Sequence, residues 1–213
     1  MPLQQILPTW LALNACNDTS ASGQTDLRTL QPINAGGLNL GDYFDLTNAE
    51  AKNASYATNG TLFAGRYRRV QVDSGATAAN VKVGTIGAMP SPAAIGIDLG
   101  GKLPLSMNVV TSYDQALNGA IRPVVFLNTV TPGNFCFVQE LGIATVLGKN
   151  GLTATPTIGD LIVAGTSGLV DDPTQSTTMT YALLKTIIGT AIDLPVSNGL
   201  FRILMDGPPT VQD

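Results

Sequence analysis

Across Gly65–Val72 the chain reads GRYRRVQV, and its side chains fall into two alternating sets, Tyr67, Arg69 and Gln71 against Arg68, Val70 and Val72. Phe135–Glu140 (FCFVQE) repeats the alternation, with Phe135, Phe137 and Gln139 set against Cys136, Val138 and Glu140. Aromatic and β-branched residues at a period of two predict half-buried strands. Further strands are predicted at Val81–Met89, Ala94–Leu99, Met107–Thr111, Ile121–Thr131, Leu161–Gly165, Gly168–Val170 and Gly199–Met205, each bounded by glycine, proline or polar turn residues. The run VVFLNTV within Ile121–Thr131 has the look of a buried strand. Tyr181–Ala191 (YALLKTIIGTA) has a spacing that permits a helical turn or a strand, and a strand ending at Asp193 is preferred. A short helix is predicted around Asn48–Asn53.

The two alternating segments are related to each other. Gly65–Thr77 (GRYRRVQVDSGAT) and Gly133–Thr145 (GNFCFVQELGIAT) lie 68 positions apart and share glycine, an aromatic residue two positions later, Val-Gln, a second glycine and Ala-Thr. The register slips by one residue around Gly75 and Gly142, as a turn of variable length allows and a strand does not. Each copy is therefore expected to form a β-hairpin, with Gly75 and Gly142 supplying the positive φ of a tight turn. Two related hairpins imply one pseudo-symmetric, all-β domain; two copies are too few for a solenoid.

Upstream of these strands the pattern changes. Residues 1–58 read as an extended arm and linker and residues 59–213 as the β-domain. Asn17–Asn39 is rich in Asn, Thr, Ser and Gly and has no sustained period. The first 13 residues carry apolar anchors at Leu3, Ile6, Leu7, Trp10, Leu11 and Leu13, with no turn-and-strand pattern that would bury them within the chain, so they are expected to face another subunit. Leu13-Asn14-Ala15-Cys16 resembles a lipobox, but the stretch has no basic n-region and Pro8 interrupts its apolar run, so it is not expected to be a signal.

Composition narrows the function. The chain of 213 residues is 44% hydrophobic and only 12% charged, about half the charged share typical of globular domains. So little charge implies a surface partly covered by other chains. A net charge of −4, with Arg66, Arg68 and Arg69 as the sole basic cluster, argues against binding nucleic acid through its phosphates. No run approaches the roughly 18 apolar residues of a membrane helix. The absence of histidine removes Ser-His-Asp and Cys-His catalysis along with the commonest metal ligand. Cys16 and Cys136 have no CxxC spacing, and Cys136, mid-strand, reads as a small buried hydrophobe.

Three constellations invite chemistry. Asp73-Ser74-Gly75-Ala76 has the D-[ST]-G-[AS] form of the catalytic loop of retropepsin-type aspartic proteases, echoed loosely by Ile187-Ile188-Gly189. Such an enzyme shares one proton between two aspartates, whereas the second copy of the repeat carries Glu140-Leu141-Gly142 in the equivalent place. Asp73 is accordingly read as a turn residue. Asp171-Asp172-Pro173 offers carboxylates without the spacing of a calcium loop and reads as a solvated turn. The sequons at Asn17, Asn53 and Asn59 are expected by chance in a chain this rich in Asn and Thr. No catalytic residue, cofactor or metal is expected.

With these residues in view, the chain resembles the head decoration, or cement, proteins of tailed bacteriophages. The resemblance rests on the paired segments Gly65–Gln71 and Gly133–Gln139 with the turn and Ala-Thr after each, on Thr157–Asp172 (TIGDLIVAGTSGLVDD), and on Ile188–Met205, and it spans roughly Leu62–Gly207. It implies a β-barrel-like domain on the outer capsid surface, often trimeric, that bridges major capsid subunits without catalysis. A carbohydrate-binding β-domain of a phage or bacterial surface structure is the competing reading; exposed aromatics would mark it, and the chain has one Trp and five Tyr.

Overall fold

The computed structural model of the protein describes residues 43–49, 51, 63–73, 76–89, 108–109, 122–127, 129–133, 135–153, 157–173 and 187–205. Ten strands lie among them: β1 (Tyr43–Leu46), β2 (Gly65–Val72), β3 (Ile86–Met89), β4 (Asn108–Val109), β5 (Arg122–Phe126), β6 (Phe135–Leu147), β7 (Leu161–Ala164), β8 (Val170–Asp171), β9 (Ile187–Ala191) and β10 (Leu200–Met205). The protein is all-β, as the alternation predicts. The strand preferred at the end of Tyr181–Ala191 is present as β9, while residues 181–186 and the strand predicted at Ala94–Leu99 lie outside the described residues. Around the helix predicted at Asn48–Asn53, residues Asn48, Ala49 and Ala51 are helical, and the Ala51 N–H donates to the Thr47 carbonyl at 2.9 Å.

The 13-residue strand β6 is the spine of the sheet. Along one edge it pairs antiparallel with β2, from Gln71 opposite Phe135 to Gly65 opposite Gly142. Its other edge is shared in succession by β5, at Val138 and Gln139, and by β10, from Gly142 to Leu147. From β10 the sheet continues through β9 and β7 to β8; beyond β2 it continues to β1, with β4 parallel to β2 at Gln71 and Val72. β3 pairs with β5 and completes the set.

Two hydrophobic cores follow from this layout. Val70, Val72, Val81, Val124, Phe126, Val130, Cys136 and Val138 form one, around the first half of β6. Ile86, Val125, Val146, Ile162, Val170, Ile188, Phe201, Ile203 and Met205, with Ala144 among the smaller members, form the other, around its second half. β5 supplies both: Val124 and Phe126 point into the first and Val125 into the second, so no face is left for polar residues. Each such aliphatic or aromatic side chain contributes about 1.5–3 kcal/mol on burial.

Several expectations need correction. The two repeat copies are not hairpins; they are each other's partner. The strand period identifies an extended segment but not the segment it bonds to, and here the partner lies far along the chain. Their register is that of a local two-fold: Tyr67 faces Gln139, Arg69 faces Phe137 and Gln71 faces Phe135, so each aromatic position of one copy meets the glutamine position of the other. Gly142 does have positive φ, +93°, but it lies inside β6 and not in a turn. A β-bulge between Arg66 and Tyr67 brings Gly65 and Gly142 together, and a Cβ at Gly142 would collide with the Ala64 carbonyl oxygen. After β2 the chain turns at Asp73, passes through a 3₁₀ turn at Ala78–Asn80 and pairs next as β3 with β5. The strand expected over Val81–Met89 is shortened to β3 because Lys82 to Thr85 form a turn, with Gly84 at φ +79° and the Thr85 hydroxyl donating to the Lys82 carbonyl at 2.8 Å. Nor is the sheet closed into a barrel, since β1 and β8 end the strand path without pairing to each other.

Gly142→Ala is expected to destabilise the protein by about 3 kcal/mol or more, because it adds both a left-handed strain and a backbone collision at the centre of the sheet. Gly151→Ala, which shares the positive φ but has open space around it, should cost about 1 kcal/mol. Denaturant unfolding of the two variants checks this; equal losses would show that the close approach to β2 is not what Gly142 provides.

Candidate interaction surface

Alternation along β10 exposes Leu200, Arg202 and Leu204 and buries Phe201, Ile203 and Met205. Large exposed apolar side chains occur elsewhere in the described residues at Val83, Ile158, Leu161, Leu194 and Val196. Val83, Val196 and Leu200 lie where β6 ends and β10 begins, whereas Leu161, at the start of β7, is level with Leu204 across β9. Leu200 opens β10 opposite Leu147, and Leu161 opens β7 opposite Thr190. Ile158 precedes Gly159, whose N–H donates to the Ala191 carbonyl at 2.8 Å, at the end of β9. Leu194 and Val196 lie on the β9–β10 connection, and Val83 precedes Gly84, whose carbonyl accepts from Leu147 N–H at 2.8 Å. Ile158 is 67% exposed and Leu194 56%. Isolated exposed leucines are ordinary, whereas large contiguous apolar patches mark contact surfaces.

Four ion pairs join charges of the described residues. Arg202 forms a bidentate pair with Asp193, at 2.6 Å for both Nε and Nη2, and its guanidinium lies over the Phe63 ring. The hydrogen bonds from Arg202 hold the Asp193 carboxyl below its ordinary range. Arg66 clasps Asp45 in the same way, tying β1 to β2. Arg68 and Glu140 form an ion pair beside the bulge, and the Glu140 side chain is wholly buried. Lys149 Nζ, the Thr153 N–H and the Thr153 hydroxyl all bond to the Asp171 carboxylate, at 2.6, 3.0 and 2.7 Å. Burial pushes the Asp171 carboxyl up, but these bonds outweigh it and leave the group below its ordinary value of 3.8.

The structure sorts the sequence candidates. The Asp73 carbonyl accepts from the Ala76 N–H at 3.0 Å, a turn geometry, while Ser74 and Gly75 lie outside the described residues. Asp171 and Asp172 do not form a solvated turn: Asp171 is half-buried at the end of β8 and Asp172 is buried. Their burial comes from the pairing of β8 with β7 and from the Lys149–Thr153 clasp, neither visible in a local polar run. Among the described residues there is no group of three or more Cys, Asp or Glu placed to hold a metal ion. Cys136 is buried, and its thiol is pushed up to about 12 by that burial, which keeps it from acting as a nucleophile. The anchors Leu3, Ile6, Leu7, Trp10, Leu11 and Leu13 lie outside the described residues. The exposure of Val83, Ile158, Leu194 and Val196 was missed from sequence; their one local signal is an aliphatic side chain inside a turn or loop.

No protein-family model and no curated protein matches the chain. Among solved structures, the chain is similar to the N base of the head fiber gp8.5 of bacteriophage phi29, at 14% identity and a TM-score of 0.41, over 67% of this chain and 94% of that one. At that level the likeness carries no functional argument.

The Asp171 clasp yields a prediction with a definite sign. A carboxyl whose pKa is lower in the folded than in the unfolded state, near 3.9, contributes stability above that unfolded value and loses it as pH falls through the folded one. Asp171→Asn should therefore cost about 1–2 kcal/mol at neutral pH and flatten the loss of stability below about pH 4. Urea unfolding from pH 7 to pH 2 checks this; parallel curves for the two proteins would refute it.

Proposed function

We propose that this protein is a structural component of a phage virion, seated on the outer capsid surface, where it decorates the head and bridges major capsid subunits without catalysing a reaction. The observation that carries the reading is the set of exposed aliphatic side chains, Val83, Ile158, Leu161, Leu194, Val196, Leu200 and Leu204, on a chain with only 12% charged residues. Such a chain gains by association: covering those side chains removes apolar surface from water, and there is little charge to desolvate. The sequence resemblance to head decoration proteins supplies the location, the capsid partner and the expectation of a trimer. The solved neighbour comes from a phage head fiber, but its likeness is too low to add weight.

Other classes of function draw less support from the same residues. A carbohydrate-binding module needs exposed aromatic faces, and the large exposed apolar side chains among the described residues are all aliphatic. An aspartic protease needs a second aspartate beside Asp73, and the strand that pairs with β2 presents Glu140 already bonded to Arg68.

Purified virions should contain the protein in a number of copies that matches the capsid lattice, and should lose it, together with resistance to heat or osmotic shock, when its gene is deleted. Quantitative mass spectrometry of the particles reads the first outcome and thermal release of DNA the second. Protein absent from particles, or present in only a few copies, would overturn the decorating role. Asp73→Asn should leave particle incorporation unchanged, and pepstatin-sensitive peptide cleavage by the wild-type protein that this change abolishes would favour the protease.

A further inference from the structure

We propose that Asn150 is a site of spontaneous covalent modification in the folded protein, where Asn150-Gly151 closes to a succinimide and reopens as isoaspartate or aspartate, while the same dipeptide at Asn198-Gly199 is protected by the turn it packs in. This inference does not depend on the capsid reading.

The chemistry needs only the chain and water. The backbone nitrogen after asparagine attacks the side-chain Cγ; a bond forms between them, the N–H proton passes to the side-chain amide, and that amide leaves as ammonia. Water then adds to one of the two ring carbonyls and breaks its bond to the ring nitrogen, which gives aspartate or, with one more methylene in the backbone, isoaspartate. Glycine hinders the attack least, because it has no Cβ beside the attacking nitrogen and restricts the backbone least. Asn-Gly occurs four times in the chain, and the dipeptides at 150–151 and 198–199 lie among the described residues. Asn150 and Asn198 are both exposed, so water reaches each. The two dipeptides are chemically alike, but their hydrogen bonds are not.

The two turns are laced to each other. Gly151 N–H donates to the Ser197 hydroxyl at 2.8 Å, the Ser197 hydroxyl donates to the Lys149 carbonyl at 3.2 Å, and Asn198 N–H donates to the same carbonyl at 3.2 Å. Attack requires the peptide group between asparagine and glycine to turn until its nitrogen faces Cγ, and each hydrogen bond that must open first lowers the population of that geometry several-fold. At Asn198 the resisting bonds run to backbone atoms. Besides the bond from its own N–H, the Gly199 N–H donates to the Val196 carbonyl at 3.3 Å and the Gly199 carbonyl accepts from Gly148 N–H at 3.0 Å. The next residue, Leu200, is already paired with Leu147 in the sheet, and a Cβ at Gly199 would collide with the Val196 side chain, so the turn has little room to move. At Asn150 the bond on the attacking nitrogen runs to a side chain, which can follow or release the movement by rotating about χ1. Gly151 is exposed, and a Cβ there would meet nothing within 4 Å, so the ring and the longer isoaspartyl backbone both have space.

The test ages full-length protein at neutral pH and follows both dipeptides by peptide mapping with mass spectrometry, which reads the gain of one mass unit at each position and separates isoaspartate from aspartate by retention. Protein held unfolded in guanidinium chloride is the reference, and there positions 150 and 198 should convert at similar rates. In the folded protein, position 150 should convert at least tenfold faster than position 198. Ser197→Ala removes the acceptor of the Gly151 N–H and should speed conversion at 150 several-fold, whereas Ser197→Thr keeps a hydroxyl there and should leave the rate unchanged; circular dichroism checks that both variants fold. Equal rates at the two positions in the folded protein, faster conversion at 198, or no conversion at 150 over a time in which the unfolded protein converts would each overturn the proposal. An unchanged rate at 150 in folded Ser197→Ala would overturn the hold that Ser197 exerts on Gly151. If Ser197→Ala does not fold, the comparison of the two positions in the wild-type protein decides alone.

Discussion

The close approach of Gly65 and Gly142 is the constraint on which the sheet depends. At that point β6 is bonded on both edges, to β2 on one side and to Met205 of β10 on the other. No side chain fits there, and the positive φ of Gly142 together with the bulge, in which β6 carries the extra residue, lets the strand pass through without ending. A single 13-residue strand can then line two cores in succession, with Cys136 and Val138 in one and Ala144 and Val146 in the other. Had Gly142 turned the chain back, the second half of β6 would not be there to hold β10, β9 and β7. The buried Arg68–Glu140 pair sits beside the same bulge and fixes the register locally, since a slip would leave Glu140 buried without its guanidinium.

Much of the fold was legible in the sequence, and what was not has a physical reason. The strand read at Gly65–Val72 is present in the sheet as β2, as are VVF in β5 and LFRILM in β10, because burial on one or both faces is written into each strand's own residues. Which strand pairs with which is not written there. Both halves of the repeat carry the alternation of a hairpin arm, but the energy of pairing comes from a partner 68 positions away. The repeat itself held more information than the hairpin reading used, since two copies of one extended segment are suited to pair antiparallel about a two-fold. Gly142 was recognised as a residue of positive φ, yet that conformation serves a bulge as well as a turn. For Asp171 and Asp172, a polar run before proline resembles a surface turn until β7 and the Lys149 clasp cover it.

The surface was harder to read than the core. An exposed aliphatic side chain in a turn or loop, such as Val83, Ile158, Leu194 or Val196, has no periodicity to reveal it. Low charge gave the general expectation of a covered surface, and the sheet shows where that surface is aliphatic. Arg66, Arg68, Lys149 and Arg202 are each paired with a carboxylate of the same chain.

The proposed virion role requires that the exposed aliphatic side chains of these loops be covered on assembly. Hydrogen exchange, followed by mass spectrometry on free protein and on purified virions, tests it most directly through the segments Thr157–Asp160 and Ile192–Gly199. The account predicts that both segments exchange at least tenfold more slowly in the assembled state, while the amides of β6, already bonded within the sheet, change little. Exchange in these two segments that is as fast on the virion as in solution would contradict it.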